Sequence, residues 1–378
     1  MARAQEFEKV LEQSETSIAS FESHIKTPLE KAQHFLHSSQ AAVPLIVLLM
    51  SIIVFGVLAG GKFFSAFALT LILQQVAIVG IVGAAQTLVI LTAGIDLSVG
   101  AIMVLSSVVM GQFVFRYGVP VPIAILCGFI CGGLCGWING MLVARMKLPP
   151  FIVTLGTWQV YNATKYLYSK NETIRGQDIE AQAPLLQLFG NKLKCDGQPW
   201  QNFVCDYIPP IRWIFDGMAS IGAIFTLGVV TMVLLVCFLW YVLNYTAWGR
   251  RVYAVGDDPD AAELAGVPVG RMLVAVYTLS GLICAFAGWV LIGRIGSVSP
   301  TSGEYANIES ITAVVIGGIS LFGGRGSVLG MIFGGLIVGV FSLGLRLIGT
   351  DPQWTYLLIG VLIIGAVAVD QWIRKVSG

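Results

Sequence analysis

The sequence predicts an all-α polytopic membrane protein, and three observations carry that prediction. Charged residues make up 11% of the 378 positions and hydrophobic residues 56%, whereas a soluble domain carries roughly 25% charge. Mean hydropathy is +0.82. The apolar residues also gather in runs of about 20, the length a helix needs to cross the hydrocarbon core. So few polar groups cannot cover a soluble protein of this size. Disulfide scaffolds, disordered chains and nucleic-acid binders are excluded on the same arithmetic, and the net charge of +1 offers no attraction to a polyanion.

Each element follows in order. Residues 1–40 read as a polar cytoplasmic N-terminal segment, with a loose helical spacing of Phe7, Leu11, Ile18, Phe21 and Ile25. All three histidines (His24, His34 and His37) lie in it, so the spans hold no imidazole for metal binding or acid–base work. A transmembrane domain over 41–372 follows. About ten spans are expected, near 43–60, 68–92, 97–115, 121–144, 151–168, 221–243, 272–293, 306–322, 328–347 and 355–372. The fifth is the poorest, because Gln159, Asn162 and Lys165 interrupt it. With the N-terminus inside, the inner loops hold Arg145, Lys147, Arg250, Arg251, Arg271, Arg325, Arg374 and Lys375, against Lys62, Arg116, Arg294 and Arg346 outside. That bias places both termini, including a short tail over 373–378, in the cytoplasm.

The segment 169–220 is then a long outer segment. It contains Cys195 and Cys205, the pair of cysteines outside the apolar runs; an oxidising exterior leaves a disulfide and two free thiols both open. Cys127, Cys131 and Cys135 share a helix face beside Gly128, Gly132 and Gly136, a pattern of small packing residues with no further metal ligands nearby. The 44 glycines, ~12% of the chain against roughly 7% on average, fit close helix packing.

Four motifs bear on function. Gly56–Phe63 nearly matches a phosphate-binding loop, but Phe63 replaces the magnesium-holding hydroxyl and the run ends an apolar helix, so the chain carries no ATP site of its own. Gly94-Ile-Asp-Leu-Ser-Val-Gly100 places Asp96, the one acidic residue between Glu30 and Glu172, between two apolar runs. A carboxyl at membrane depth is a functional candidate by default. Capping of the next helix, aided by Ser98, is the competing role. The loop 249–271 is the sharpest signal. Asp258 reads as a helix cap, Pro259 as the first helical residue, Asp260 as a dipole partner, Ala261, Ala262 and Glu263 as helix body and Gly266 as the stop. Arg250, Arg251 and Asp257 precede it. A short helix capped at both ends suits the docking of a soluble partner. Gly317–Gly326 is a glycine-rich inner hairpin, and Gly330/Gly334 and Gly335/Gly339 continue with small-residue spacing on the next span.

Together, Gly94–Gly100, Pro150-Phe-Ile-Val-Thr-Leu-Gly-Thr157, Gly249–Gly266 and Ala313–Gly330 resemble the permease subunits of ATP-binding-cassette sugar importers of the ribose, xylose and fructose type. The resemblance runs from about residue 45 to the end. It implies around ten helices in two related halves, a homodimer, ATPase subunits carrying ATP and magnesium and docked on 259–265, and a periplasmic sugar-binding protein at the outer face. Fructose is the expected sugar, with ribose and xylose next. A neutral sugar calls for polar, uncharged walls, for which Gln86, Thr87, Ser98, Thr154, Thr157, Gln159 and Ser310 are available, with Asp96 at the break. Ser299–Glu304 is a turn-rich outer segment suited to the binding protein. Two other readings stand beside this one: an importer permease for branched-chain amino acids, and an ion-coupled secondary transporter, for which Asp96 and Glu309 are the acidic candidates. Hydrolytic chemistry has no Ser/His or zinc constellation to work with in the spans.

Overall fold

The computed structural model describes residues 41–193, 222, 224–351 and 353–377. The helices are α1 (Ala42–Ala59), α2 (Ala66–Leu91), α3 (Val99–Tyr117), α4 (Val121–Ala144), α5 (Pro150–Ser169), α6 (Gly176–Gln182), α7 (Leu227–Tyr245), α8 (Ala247–Asp257), α9 (Pro259–Leu264), α10 (Val269–Ile295), α11 (Ala306–Ile316), α12 (Val328–Leu347) and α13 (Gln353–Ser377). The expected N-terminal segment and the Cys195–Cys205 pair lie outside the described residues.

Local chemistry sets the helix ends. The Ser65 hydroxyl accepts the Ala68 amide at 3.2 Å and opens α2. Pro150 stands at the first position of α5. Gly118 and Gly296, both left-handed, close α3 and α10.

Every expected span falls on a helix, but among the described residues seven helices are long and apolar enough to cross a membrane. These are α1, α2, α3, α4, α7, α10 and α12. The expectation of ten full spans is corrected at two places. α5 has the length, and its polar residues lower its apolarity. α11 is an 11-residue helix rather than a span over 306–322, about 16 Å long and half a bilayer. It stops because Gly317 is followed by Gly318 in a left-handed turn at φ +78°. α13 runs Gln353–Ser377 across the expected tenth span.

Apolar burial does not pull helices together inside lipid, so close approach at small residues does the work. Gly132, Gly136 and Gly140 of α4 lie on Gly281, Tyr277 and Val274 of α10, where a Cβ at any of the three would strike backbone atoms. Gly128 lies on Met110 of α3. The cysteines on this face of α4 are free thiols beside that seam. Gly330 and Gly334 of α12 lie on Gly317 and on Ala313 of α11, and Gly339 on Val76 of α2. The small-residue spacing on α12 therefore serves packing inside the chain. Helices α2, α3, α10 and α12 form the buried centre, while α1 and α7 present Ile53, Val57, Leu234 and Phe238 outward.

The described part of 169–220 packs on the bundle rather than standing free. Ile179, Ala183 and Leu186 are fully buried. Gly190 meets Gly293 backbone to backbone, and the Trp289 indole donates to the Leu185 carbonyl at 3.2 Å. Antiparallel bridges join Ile174 to Val298 and Lys192 to Thr226.

Two glycine-bearing breaks give the bundle an internal two-fold-like arrangement. One (92–98) joins α2 to α3, and the other (317–327) joins α11 to α12. α2 lies against α12, and α11 lies against α2 and α3. The breaks touch directly, as the Gly324 amide donates to the Leu91 carbonyl at 3.1 Å.

Candidate functional site

The first break is held from several helices at once. Asp96 is 1% exposed. Its Oδ1 accepts the Ser98 amide at 2.8 Å and the Ser98 hydroxyl at 2.6 Å. Ser98, not Asp96, occupies the cap position of α3, and it makes no side-chain cap bond there. The capping expectation is corrected accordingly: Asp96 braces the turn that precedes the helix, because its side chain reaches only two residues forward. From α4, Asn139 donates to Ser98 Oγ at 2.8 Å. From α5, Tyr161 donates to the Cys135 carbonyl at 3.0 Å and reaches Asn139 Oδ1 at 3.4 Å, and Thr154 donates to the Ile95 carbonyl at 2.9 Å. From α11, Asn307 donates to the Leu97 carbonyl at 3.4 Å. A Cβ at Gly94 would come within 2.6 Å of the Tyr277 hydroxyl of α10. Ala93, at φ +58°, makes the turn in the left-handed region.

Of the polar residues expected to line a path, several turn inward. Thr87 donates to Gly83 O at 2.8 Å, Thr157 to Thr154 O at 3.4 Å and Ser310 to Asn307 O at 2.9 Å. Each satisfies a helix backbone. Gln159 is exposed on α5. Gln86 is fully buried with both amide atoms unpaired, as are Asp96 Oδ2 and the Tyr277 hydroxyl. The structure thus gathers Asp96, Ser98 and Thr154 at one break and leaves Gln159 on the outer face of its helix.

The loop 249–271 is two helices rather than one. α8 was not expected. Thr246 caps it by accepting the Gly249 amide at 3.2 Å, and Val252 and Val255 bury one face while Arg250 and Arg251 stay exposed. α9 forms as its sequence requires. Asp258 Oδ1 accepts the Asp260 and Ala261 amides at 2.9 and 3.0 Å, Pro259 starts it and Gly266 ends it at φ +84°. Asp257, Asp258, Pro259, Asp260, Ala261, Glu263 and Gly266 are exposed, and Ala262 is buried as the inward anchor. Leu264, 91% exposed, crowns the unit.

Below this exposed surface, α8 rests on both breaks. A Cβ at Gly256 would strike the Leu91 carbonyl and come within 2.7 Å of the Gly324 amide. Gly323 lies against Gly256 and Ala93. Tyr253 donates to the Gly326 carbonyl at 3.0 Å, and burial pushes its phenol above the ordinary range, which keeps it a donor. A displacement of α8 and α9 therefore reaches the breaks through backbone contacts.

A capped surface helix seated on two intramembrane breaks suits a transport subunit moved by a partner. Residues 68–367 match the family profile described as "Branched-chain amino acid transport system / permease component". The fructose import permease protein FrcC of Rhizobium meliloti is 72% identical over 375 residues, covering 99% of this chain and 97% of that protein. The chain belongs to the sugar-import permeases of the ATP-binding-cassette transporters. The permease is also 36% identical over 342 residues to the ribose import permease protein RbsC of Bacillus subtilis, covering 90% and 96% of the two chains. It is 31% identical over 357 residues to the galactose/methyl galactoside import permease protein MglC of Escherichia coli, covering 91% and 97%. No solved structure matches the permease.

Sequence reasoning missed Asn139, Tyr161 and Tyr277, which reach the break from other helices and carry no local signal. It also missed Leu264, although an apolar residue closing a capped polar helix is visible in the sequence.

Proposed function

We propose that the permease carries a monosaccharide, fructose first and ribose or xylose next, inward across the bacterial inner membrane as one half of a homodimer. In this reading the membrane helices of the domain 41–372 form two related halves, both termini face the cytoplasm, and 169–220 faces outward. A periplasmic binding protein delivers the sugar. Two separate ATPase subunits hold ATP and magnesium and dock on α8 and α9. The permease contributes no chemistry of its own; its two access states are biased by partners that bind each differently. The relatives' names support a sugar over a branched-chain amino acid or an ion-coupled solute.

The observation that carries the coupling role is the contact of Gly256 with Leu91 and Gly324 beneath an exposed, capped α9. Arg250, Arg251, Asp257, Asp260, Glu263 and Leu264 form the docking face in this reading. Path-lining roles go to Gln86, Asp96, Ser98 and Thr154, while Thr157, Gln159 and Ser310 are set aside because they bond their own helix or face away from the bundle. The test is co-purification of the complex with Glu263→Arg in the permease. Loss of the ATPase subunit from a normally inserted permease is the expected result. Full retention of the ATPase, with wild-type hydrolysis, would overturn the docking role.

A further inference from the structure

A second polar cluster stands at the ends of α10 and α12, beside α2 and α11. The Arg294 guanidinium donates to Gln75 Oε1 at 2.7 Å, and Gln75 Nε2 donates to Glu309 Oε1 at 3.4 Å. Arg346 stands in the last turn of α12, as Arg294 does in the last turn of α10. Tyr305 and Tyr356 stand beside it with ring centroids 4.9 Å apart. Both rings are open to the surface, at 47% and 44% exposure. Arg294 and Arg346 are exposed, and Gln75 and Glu309 half-buried.

Position gives this cluster its meaning. Gln75 is the tenth residue of α2, while Arg294 and Arg346 stand in the last turns of α10 and α12, so three helices bring polar side chains to one place. Guanidiniums left exposed there are tolerated where water reaches them. The donor set is mixed. Two guanidiniums donate, the Glu309 carboxylate accepts, and the Gln75 amide does both. Tyr305 and Tyr356 add apolar faces with polar tips. A polyhydroxylated neutral ring matches that combination, with its C–H face on a tyrosine and its hydroxyls on the charged groups. A phosphate headgroup matches it poorly, because Glu309 stands among the cations.

We propose that Gln75, Arg294, Glu309 and Arg346, with Tyr305 and Tyr356, form a monosaccharide site at the outer mouth of the path. This rests on the sugar-import reading and deepens it. The first turn of α11 continues the site inward, since Asn307, two residues before Glu309, bonds the Leu97 carbonyl of the break.

The test uses the full complex in proteoliposomes, with labelled D-fructose and D-ribose as probes. Gln75→Ala and Glu309→Gln are expected to lower uptake about ten-fold and to change the fructose-to-ribose ratio several-fold, as loss of a hydroxyl-reading group does. Attachment of the binding protein, measured separately by co-sedimentation, stays as in wild type. An unchanged sugar ratio would overturn the proposal, and so would uptake that falls only in step with binding-protein attachment, which would make the cluster a docking surface. If neither variant inserts, wild-type complex decides. Millimolar D-fructose is expected to shield Arg294 from an arginine-directed dicarbonyl reagent, read by mass spectrometry, and no shielding overturns the site. Absence of any monosaccharide uptake by the wild-type complex would instead sink the sugar-import reading itself.

Discussion

Asp96 is a buried carboxylate whose bonds are short-range: one oxygen takes two donors from Ser98. Asparagine keeps that oxygen and removes the charge, whereas alanine removes both bonds. Asp96→Asn is therefore expected to stay folded, while Asp96→Ala loses about 2 kcal/mol or more, read as a lower unfolding temperature in detergent. Transport by Asp96→Asn then reports whether the negative charge is used at all. A similar contrast holds for threonines. Thr154→Val strands the Ile95 carbonyl, at about 1–3 kcal/mol, while Thr157→Val gives up only a 3.4 Å bond within its own helix. A difference in melting temperature between the two variants checks this. At this scale the sequence was informative about Asp96, an isolated acid between glycines. It was silent about Asn139 and Tyr161, whose partners lie 41 and 22 residues away.

Helices and breaks follow the same division. Capping and left-handed glycines are local, so α9 was legible from Asp258-Pro259 to Gly266. Apolar run length was legible too, and it located every span. It could not tell a half-length helix from a full one at 306–322, because the residues of the glycine-rich break that follows are as apolar as the helix. α8 was overlooked because two adjacent arginines mask a face made by Val252 and Val255. The glycine of α8 that matters most is Gly256. Gly256→Val places methyl groups against backbone on two sides, where repacking is impossible. A loss of at least about 1–3 kcal/mol is expected, with failure to accumulate as the visible result. Gly270→Val, with open space around its Cβ position, is expected to accumulate normally. Quantitative immunoblotting of membranes compares the pair.

The whole molecule is organised for lipid. Its charges lie mostly outside the apolar runs, in residues 1–40, in 169–220 and in the loop 249–271, and its glycines join helices where hydrophobic attraction cannot. The charge bias predicts that both chain ends face the cytoplasm. A green fluorescent protein fused after Gly378 is expected to fluoresce, and an alkaline phosphatase fused there to stay inactive; the reverse pattern would invert the topology. Composition alone reached this level, because membrane insertion depends on averages rather than on particular neighbours. Tertiary meeting points, such as Gln75 with Arg294 across 219 residues, leave no mark on an average.

The seat of Gly256 between Leu91 and Gly324 carries one more consequence. With no side chain there to absorb displacement, the two interruptions of the bundle have no slack between them. On the sugar-import reading, a tug on one is therefore expected to drag the other, so the two would shift together rather than one at a time.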